Sequence, residues 1–219
     1  MPEWVQPVVE YMAREGLKET ARIAVISVVG SALVGVVLGT LLTIRFWPLR
    51  SMIRLYIEVW RGLPIIVTIF LIFFALPSVG IRFSPYLAAA IGLVLWGSAQ
   101  VAEATRGAVE SIPREQHQAA SALGFGWVGR HAFVILPQAL RRLLPPMVSL
   151  LAGVIQNTTL ASIIGASEVL ATGTQSIERL QHSSGNSHSF AIYAGIMAAF
   201  FAISFPLTRL AVYLERRLV

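Results

Sequence analysis

Apolar residues in this chain come in long uninterrupted runs instead of alternating with polar ones, and the polar residues collect between the runs. Five runs, at about 20–44, 55–77, 85–108, 143–165 and 190–214, each approach the ~20 residues a helix needs to cross the hydrocarbon core of a bilayer. The pattern predicts an all-α protein with about five membrane-spanning helices. In the first run Ser27, Ser31, Gly35 and Gly39 recur at every fourth position, a ladder of small residues that lets another helix approach closely. The second run is short by itself, and the reading lets it borrow length from an amphipathic stretch before it, with Pro64 bending its start. The third turns polar towards its end, where Gln100 and Glu103 share a face. Such residues in a span face a bundle interior or a watery path, or pair locally, here Glu103 with Arg106. The fourth holds four consecutive polar residues, Gln156, Asn157, Thr158 and Thr159, and the fifth carries Pro206 as a predicted kink.

Between the third and fourth runs lies ESIPREQHQAASALGFGWVGRHAFVILPQALRR, from Glu110 to Arg142. A short helix is predicted over about 111–124: Ser111 as the cap, Pro113 in the first turn where its missing donor costs nothing, and Gly124 as the stop. Ala119, Ala120 and Leu123 then fall on one face, with Arg114, Glu115 and Gln116 on the turn before. FVILPQALRR predicts a proline-marked turn followed by a basic pair at a membrane surface. An ordinary loop with an incidental helix is the plainer reading of the same residues. The stretch ASEVLATGTQSIERLQHSSGNSHS reads as another loop, and its His182 and His188 as surface histidines instead of metal ligands. At the start, MPEWVQPVVEYMAREGLKET lacks the basic, apolar, small-residue order of a removed signal peptide.

Charge orients these runs. With the N-terminus outside and the C-terminus inside, twelve of the seventeen basic residues and five of the eleven glutamates fall on the inner side. That side is left at +7 and the outer side at −1, as the positive-inside rule requires. Arg45, Arg50, Arg54 and Arg61 dominate the first inner loop. Glu58 and Arg61, three apart, form either an interfacial salt bridge or part of a gate.

Composition agrees: 56% hydrophobic, 13% charged and a mean hydropathy of +0.71 describe a single multi-pass membrane domain over 1–219, and topology explains the +6 net charge without nucleic acid. The lone lysine, Lys18, follows no glycine-rich turn, so a phosphate-binding loop is missing. Cysteine and aspartate are absent, and no hydrolase elbow or HExxH helix occurs, which disfavours an enzyme.

The order EVWRGLP, EATRGAVESIP, QAASALG, FVILPQAL, NTTLASIIG resembles the EAA-loop permeases of bacterial ABC importers, in the polar amino acid uptake branch. Gln118 stands for that motif's glutamate, Glu115 for a glycine, Gln156 for a basic residue and Asn157 for an acidic one. The resemblance implies a multi-pass permease subunit in the bacterial cytoplasmic (inner) membrane. Its coupling helix, carrying Arg114, Gln118, Ala119, Ala120, Leu123 and Gly124, would dock on an ATPase subunit. It further implies a second permease chain, identical or homologous, two ATPase subunits, an extracytoplasmic binding protein and a polar amino acid as substrate. No cofactor would be bound by this chain; ATP and Mg would belong to the ATPase. Glu58, Arg61, Gln100, Glu103, Gln156, Asn157, Thr158 and Thr159 are the substrate-pathway candidates. A permease for another small solute, or an ATP-independent channel or secondary carrier, are the alternatives.

Overall fold

The computed structural model describes residues 2–44 and 46–218, and among them every regular element is helical. Arg45, counted above in the inner loop, lies outside the described residues. In chain order the helices are α1 (Val5–Leu41), α2 (Trp47–Gly62), α3 (Ile65–Val79), α4 (Pro85–Glu110), α5 (Arg114–Ala122), α6 (Trp127–Ile164), α7 (Val169–Ser184) and α8 (Ser189–Leu218). Four of them, α1, α4, α6 and α8, are long and apolar enough to cross a membrane; α2 and α3 pass the same test only as a broken pair, which makes five.

Several predicted boundaries move, each for a local reason. The second span is not one bent helix over 55–77: Pro64, at ψ 132°, ends α2 and starts α3 afresh, because proline has no N–H to continue the ladder. The first span begins at Val5 and the fourth at Trp127, both earlier than expected. The proline-marked turn in FVILPQALRR does not form. Leu136 N–H bonds the His131 carbonyl, five residues back, and this wider π turn over His131–Ile135 accommodates the ring of Pro137 just after it. The same device precedes Pro77, where Leu76 N–H bonds the Leu71 carbonyl. Pro206 lies inside α8 without ending it. The loop expected over 166–189 is mostly α7, 16 residues long, stopped by Gly185 at φ +70°.

The chain divides into two compact units. The first comprises Met1–Val29, Leu63–Val94 and Ala152–Pro206. Here α1 and α7 touch at backbone distance: a Cβ on Gly16 would lie 2.3 Å from Thr172 Oγ1 and 2.9 Å from Val169 Cα. Val8, Val169, Ile192 and Ile196 form the apolar core beside that contact, and Tyr11 Oη donates to Gln175 Oε1 at 2.6 Å. His188 stacks on Trp4 at 4.4 Å.

Glu168 caps α7, accepting from Leu170 N–H at 2.9 Å and Ala171 N–H at 2.7 Å, while its side chain is fully buried. Burial pushes its carboxyl up to about 7 against the pull of the two N–H groups. The folded chain therefore holds this proton more tightly than the unfolded chain does. The stabilisation is complete below the ordinary carboxylate value of 4.5 and declines as pH rises to about 7. Thermal unfolding of the purified protein should thus show an extra loss, on the order of 3 kcal/mol, between about pH 5 and about pH 8. Glu168→Gln should remove that component, and an unchanged pH profile in the variant would refute the assignment.

The second unit comprises Gly30–Gly62, Leu95–Leu151 and Leu207–Val219. The ladder read from the first span does pack: Ser31 is buried, and Cβ atoms on Gly35 and Gly39 would lie 2.5 Å from Val101 Cβ and 2.3 Å from the Ala102 carbonyl of α4. Two apolar clusters flank this seam. Leu42, Ile53, Ile57, Ala99 and Ala102 join α1, α2 and α4; Ala108, Val109, Ile112, Ile135, Ala139 and Leu143 join α4 to α6.

Candidate functional site

The second unit holds both the polar helix between spans and a charged cavity, and each can be built from its residues. Helix α5 starts on Pro113, whose ψ of 141° lies outside the helix and whose carbonyl takes the Gln116 N–H at 3.1 Å. Glu115 in the first turn suits the positive end of the helix dipole. At the other end Gly124, at φ +82°, allows Phe125 N–H to reach the Ala120 carbonyl and Gly124 N–H the Ser121 carbonyl, which is a Schellman stop.

Ser111 is not the cap that the sequence suggested. Its hydroxyl donates to the Ala108 carbonyl at 2.7 Å, and its own carbonyl and hydroxyl receive Arg142 Nη1 at 2.6 and 3.0 Å. Two further ties fasten α5 to α6: Gln138 Nε2 to Gln116 Oε1 at 3.4 Å, and Arg130 Nη1 to Ser121 Oγ at 2.9 Å. His117, on the underside, meets His131 edge-on at 6.2 Å; burial and then the Arg130 guanidinium hold its imidazole below the ordinary value.

The single face drawn through Ala119, Ala120 and Leu123 splits in two. Ala120 is 2% exposed and turned into its own chain, whereas Leu123 is 78% exposed and Ala119 is exposed as well. The outward face carries Glu115, Gln118, Ala119, Ala122 and Leu123, at the i, i+3, i+4, i+7, i+8 spacing of one helical stripe. Arg114 and Gly124 are exposed at the two ends.

The cavity, of about 320 Å³, is lined by Leu42, Arg54, Ile57, Glu58, Arg61, Glu103 and Arg106. Arg106 is held between two carboxylates of its own helix: Nη2 lies 2.5 Å from Glu103 Oε1, and Nη1 pairs with Glu110. So the local pairing foreseen for Glu103 forms, and Glu103 still faces the cavity. Glu58 and Arg61 do not pair among the described residues; both line the cavity instead, leaving their charges available to it. Gln100, nearly one turn before Glu103 on α4, is not among the lining residues. Sequence reasoning missed Arg54, although it lies one turn before Glu58 on the same face of α2.

The polar break in α6 belongs to the first unit. The α-helical part ends at Asn157 and a 3-10 turn follows over Thr158–Ile164. Asn157 Nδ2, Thr158 Oγ1 and Thr159 Oγ1 bond the carbonyls of Gly153, Ile155 and Gln156, and Gln156 Nε2 reaches Ser204 Oγ at 3.0 Å. These side chains satisfy a weakened helix, as a bilayer demands.

Apolar helices long enough to span a bilayer, with a clamped and exposed polar helix between two of them, define an integral membrane protein. Residues 31–219 match the family of binding-protein-dependent transport system inner membrane components, and this chain belongs to that family. The glutamine transport system permease protein GlnP of Escherichia coli (strain K12) is 34% identical over 206 residues, covering 93% of this chain and 91% of that one. The probable glutamine ABC transporter permease protein GlnP of Bacillus subtilis (strain 168) is 33% identical over 203 residues, with coverages of 93% and 92%. In structure the chain is similar to a crystallised amino acid ABC transporter with histidines, at 25% identity and TM-score 0.80, covering 97% of this chain and 94% of that one. It shares the fold of the inward-facing MetNI methionine ABC transporter at TM-score 0.78 and 18% identity, with both chains fully covered.

Proposed function

We propose that this chain is the membrane-spanning permease subunit of an ABC importer for a polar amino acid in the bacterial inner membrane, driven by ATP hydrolysis on separate ATPase subunits. The observation that carries this reading is the likeness to glutamine permeases over more than nine-tenths of the chain, together with α5 standing exposed between α4 and α6. In this reading α5 is the coupling helix on the cytoplasmic side, and the N-terminus lies outside. Two permease chains face each other above two ATPase subunits that hold ATP and Mg, and an external binding protein delivers the substrate.

A zwitterion crossing lipid must find partners for both charges. The cavity offers them: Arg54 and Arg61 for a carboxylate, Glu58 for an ammonium group, with Arg106 and Glu103 neutralising each other. Gln100, Gln156, Asn157, Thr158 and Thr159 stay pathway candidates from the sequence pattern, outside the lining of this cavity.

The test is uptake into proteoliposomes containing the permease, its ATPase and its binding protein, with a panel of labelled amino acids and other small solutes. ATP-dependent accumulation of one or a few polar amino acids is the expected result. Uptake driven by an ion gradient without the ATPase, or accumulation of a different solute alone, would replace this reading.

A further inference from the structure

We propose that His131 is a positioning residue that carries displacement of α5 to the wall of the charged cavity. The inference rests on the importer reading and concerns a contact that the reading does not use.

His131 is 4% exposed and sits where the π turn of α6 begins. Its ring stacks on Trp127 at 4.2 Å and meets His117 of α5 edge-on at 6.2 Å, so it lies against the segment that a partner would push. Its Nδ1 is 2.9 Å from the Trp127 carbonyl and its Nε2 is 3.0 Å from Thr43 Oγ1. A carbonyl only accepts, so Nδ1 carries the hydrogen, and the Nε2 of the neutral ring accepts from the Thr43 hydroxyl. That hydroxyl also lies 2.7 Å from the Thr40 carbonyl, and its one hydrogen can serve either acceptor. The contact is therefore a latch with two settings: released from His131, the Thr43 hydroxyl keeps its bond to the Thr40 carbonyl of its own helix, while the buried ring Nε2 is left without a donor, so the engaged setting is the favoured one.

What the latch holds is the cavity. Leu42, the neighbour of Thr43, lines it and packs on Ile53, Ile57, Ala99 and Ala102, on the two helices that supply Arg54, Glu58, Arg61, Glu103 and Arg106. A shift of α5 transmitted through Trp127 and His131 thus reaches the charged wall through one hydrogen bond, within one compact unit. Coupling of this kind needs an element with two discrete arrangements, and the shared hydroxyl is one.

The complete complex in proteoliposomes separates transmission from folding, because uptake and ATP hydrolysis are read independently. His131→Phe keeps the ring on Trp127 but loses both polar contacts; Thr43→Val removes the other end of the latch. Each should lower solute moved per ATP hydrolysed by about tenfold while hydrolysis continues, and the double variant should be no worse than either. His131→Gln, whose amide reaches towards Thr43, should restore part of the loss. Wild-type stoichiometry in Thr43→Val, or additive losses in the double variant, would overturn the proposal, and Thr43→Val decides it alone if His131→Phe does not assemble. Absence of ATP-driven uptake in the unmutated complex would instead overturn the importer reading.

Discussion

Leu123→Glu is expected to abolish ATP-driven uptake and to release the ATPase from the purified permease, with the membrane helices still folded. Leu123 is the most exposed apolar residue on the outward stripe of α5, so little of its surface is packed against its own chain. An apolar anchor at the centre of a protein interface is worth about 2 kcal/mol or more, and a buried unpaired carboxylate adds a further penalty. Ala119→Glu, on the same stripe, should act in the same direction. Ala120→Glu should behave differently: with 2% exposure it faces inward, so a carboxylate there should dislodge α5 from α6 and lower the yield of folded protein. Copurification of the ATPase with each variant, beside thermal unfolding, checks the contrast. Full ATPase binding by Leu123→Glu would mean that another surface takes the push.

Gly39→Leu is expected to be the most damaging substitution within the spans. A Cβ at this position would lie 2.3 Å from the Ala102 carbonyl and 2.5 Å from Thr105 Cβ, and neither atom can swing away. Helices α1 and α4 would have to separate along the seam that aligns Leu42 with Glu103 and Arg106. Inserting a single extra group into such a seam costs about 1–3 kcal/mol, and a whole leucine side chain costs more. Gly39→Ala should fall within that range. Gly107→Ala is the control with the opposite sign: nothing lies within 4 Å of a Cβ there, and alanine's better helix propensity should stabilise by about 0.5–1 kcal/mol. Unfolding temperatures in detergent distinguish the three; equal effects at Gly39 and Gly107 would show that the close approach carries no weight.

Much of the fold was legible because a bilayer imposes simple demands. Long apolar runs must be helices, and small residues at every fourth position must mark a close contact, as Gly35 and Gly39 do. The stop at Gly124 was legible for a backbone reason, since the left-handed turn suits glycine. Where the reading failed, the signal was composition mistaken for conformation. Helix α7 buries Thr172 against Gly16 of α1 and Gly173 against Ile192 and Ile196 of α8, with Ser176 buried as well, so its packed face is made of small and polar residues and looks like a loop. Pro137 looks like a turn, yet a π bond five residues back makes room for it.

From the residue order alone came the helical class, the number of candidate spans and the polar helix between the third and fourth of them, because these follow from hydrophobicity and local spacing. Only the tertiary structure decided that Ala120 points inward while Leu123 points out, that Arg54 joins Glu58, Arg61, Glu103 and Arg106 around one cavity, and that His131 meets Thr43. Those facts depend on which side of a helix a neighbour occupies and on contacts between residues up to 88 positions apart, and hydrophobic periodicity encodes neither.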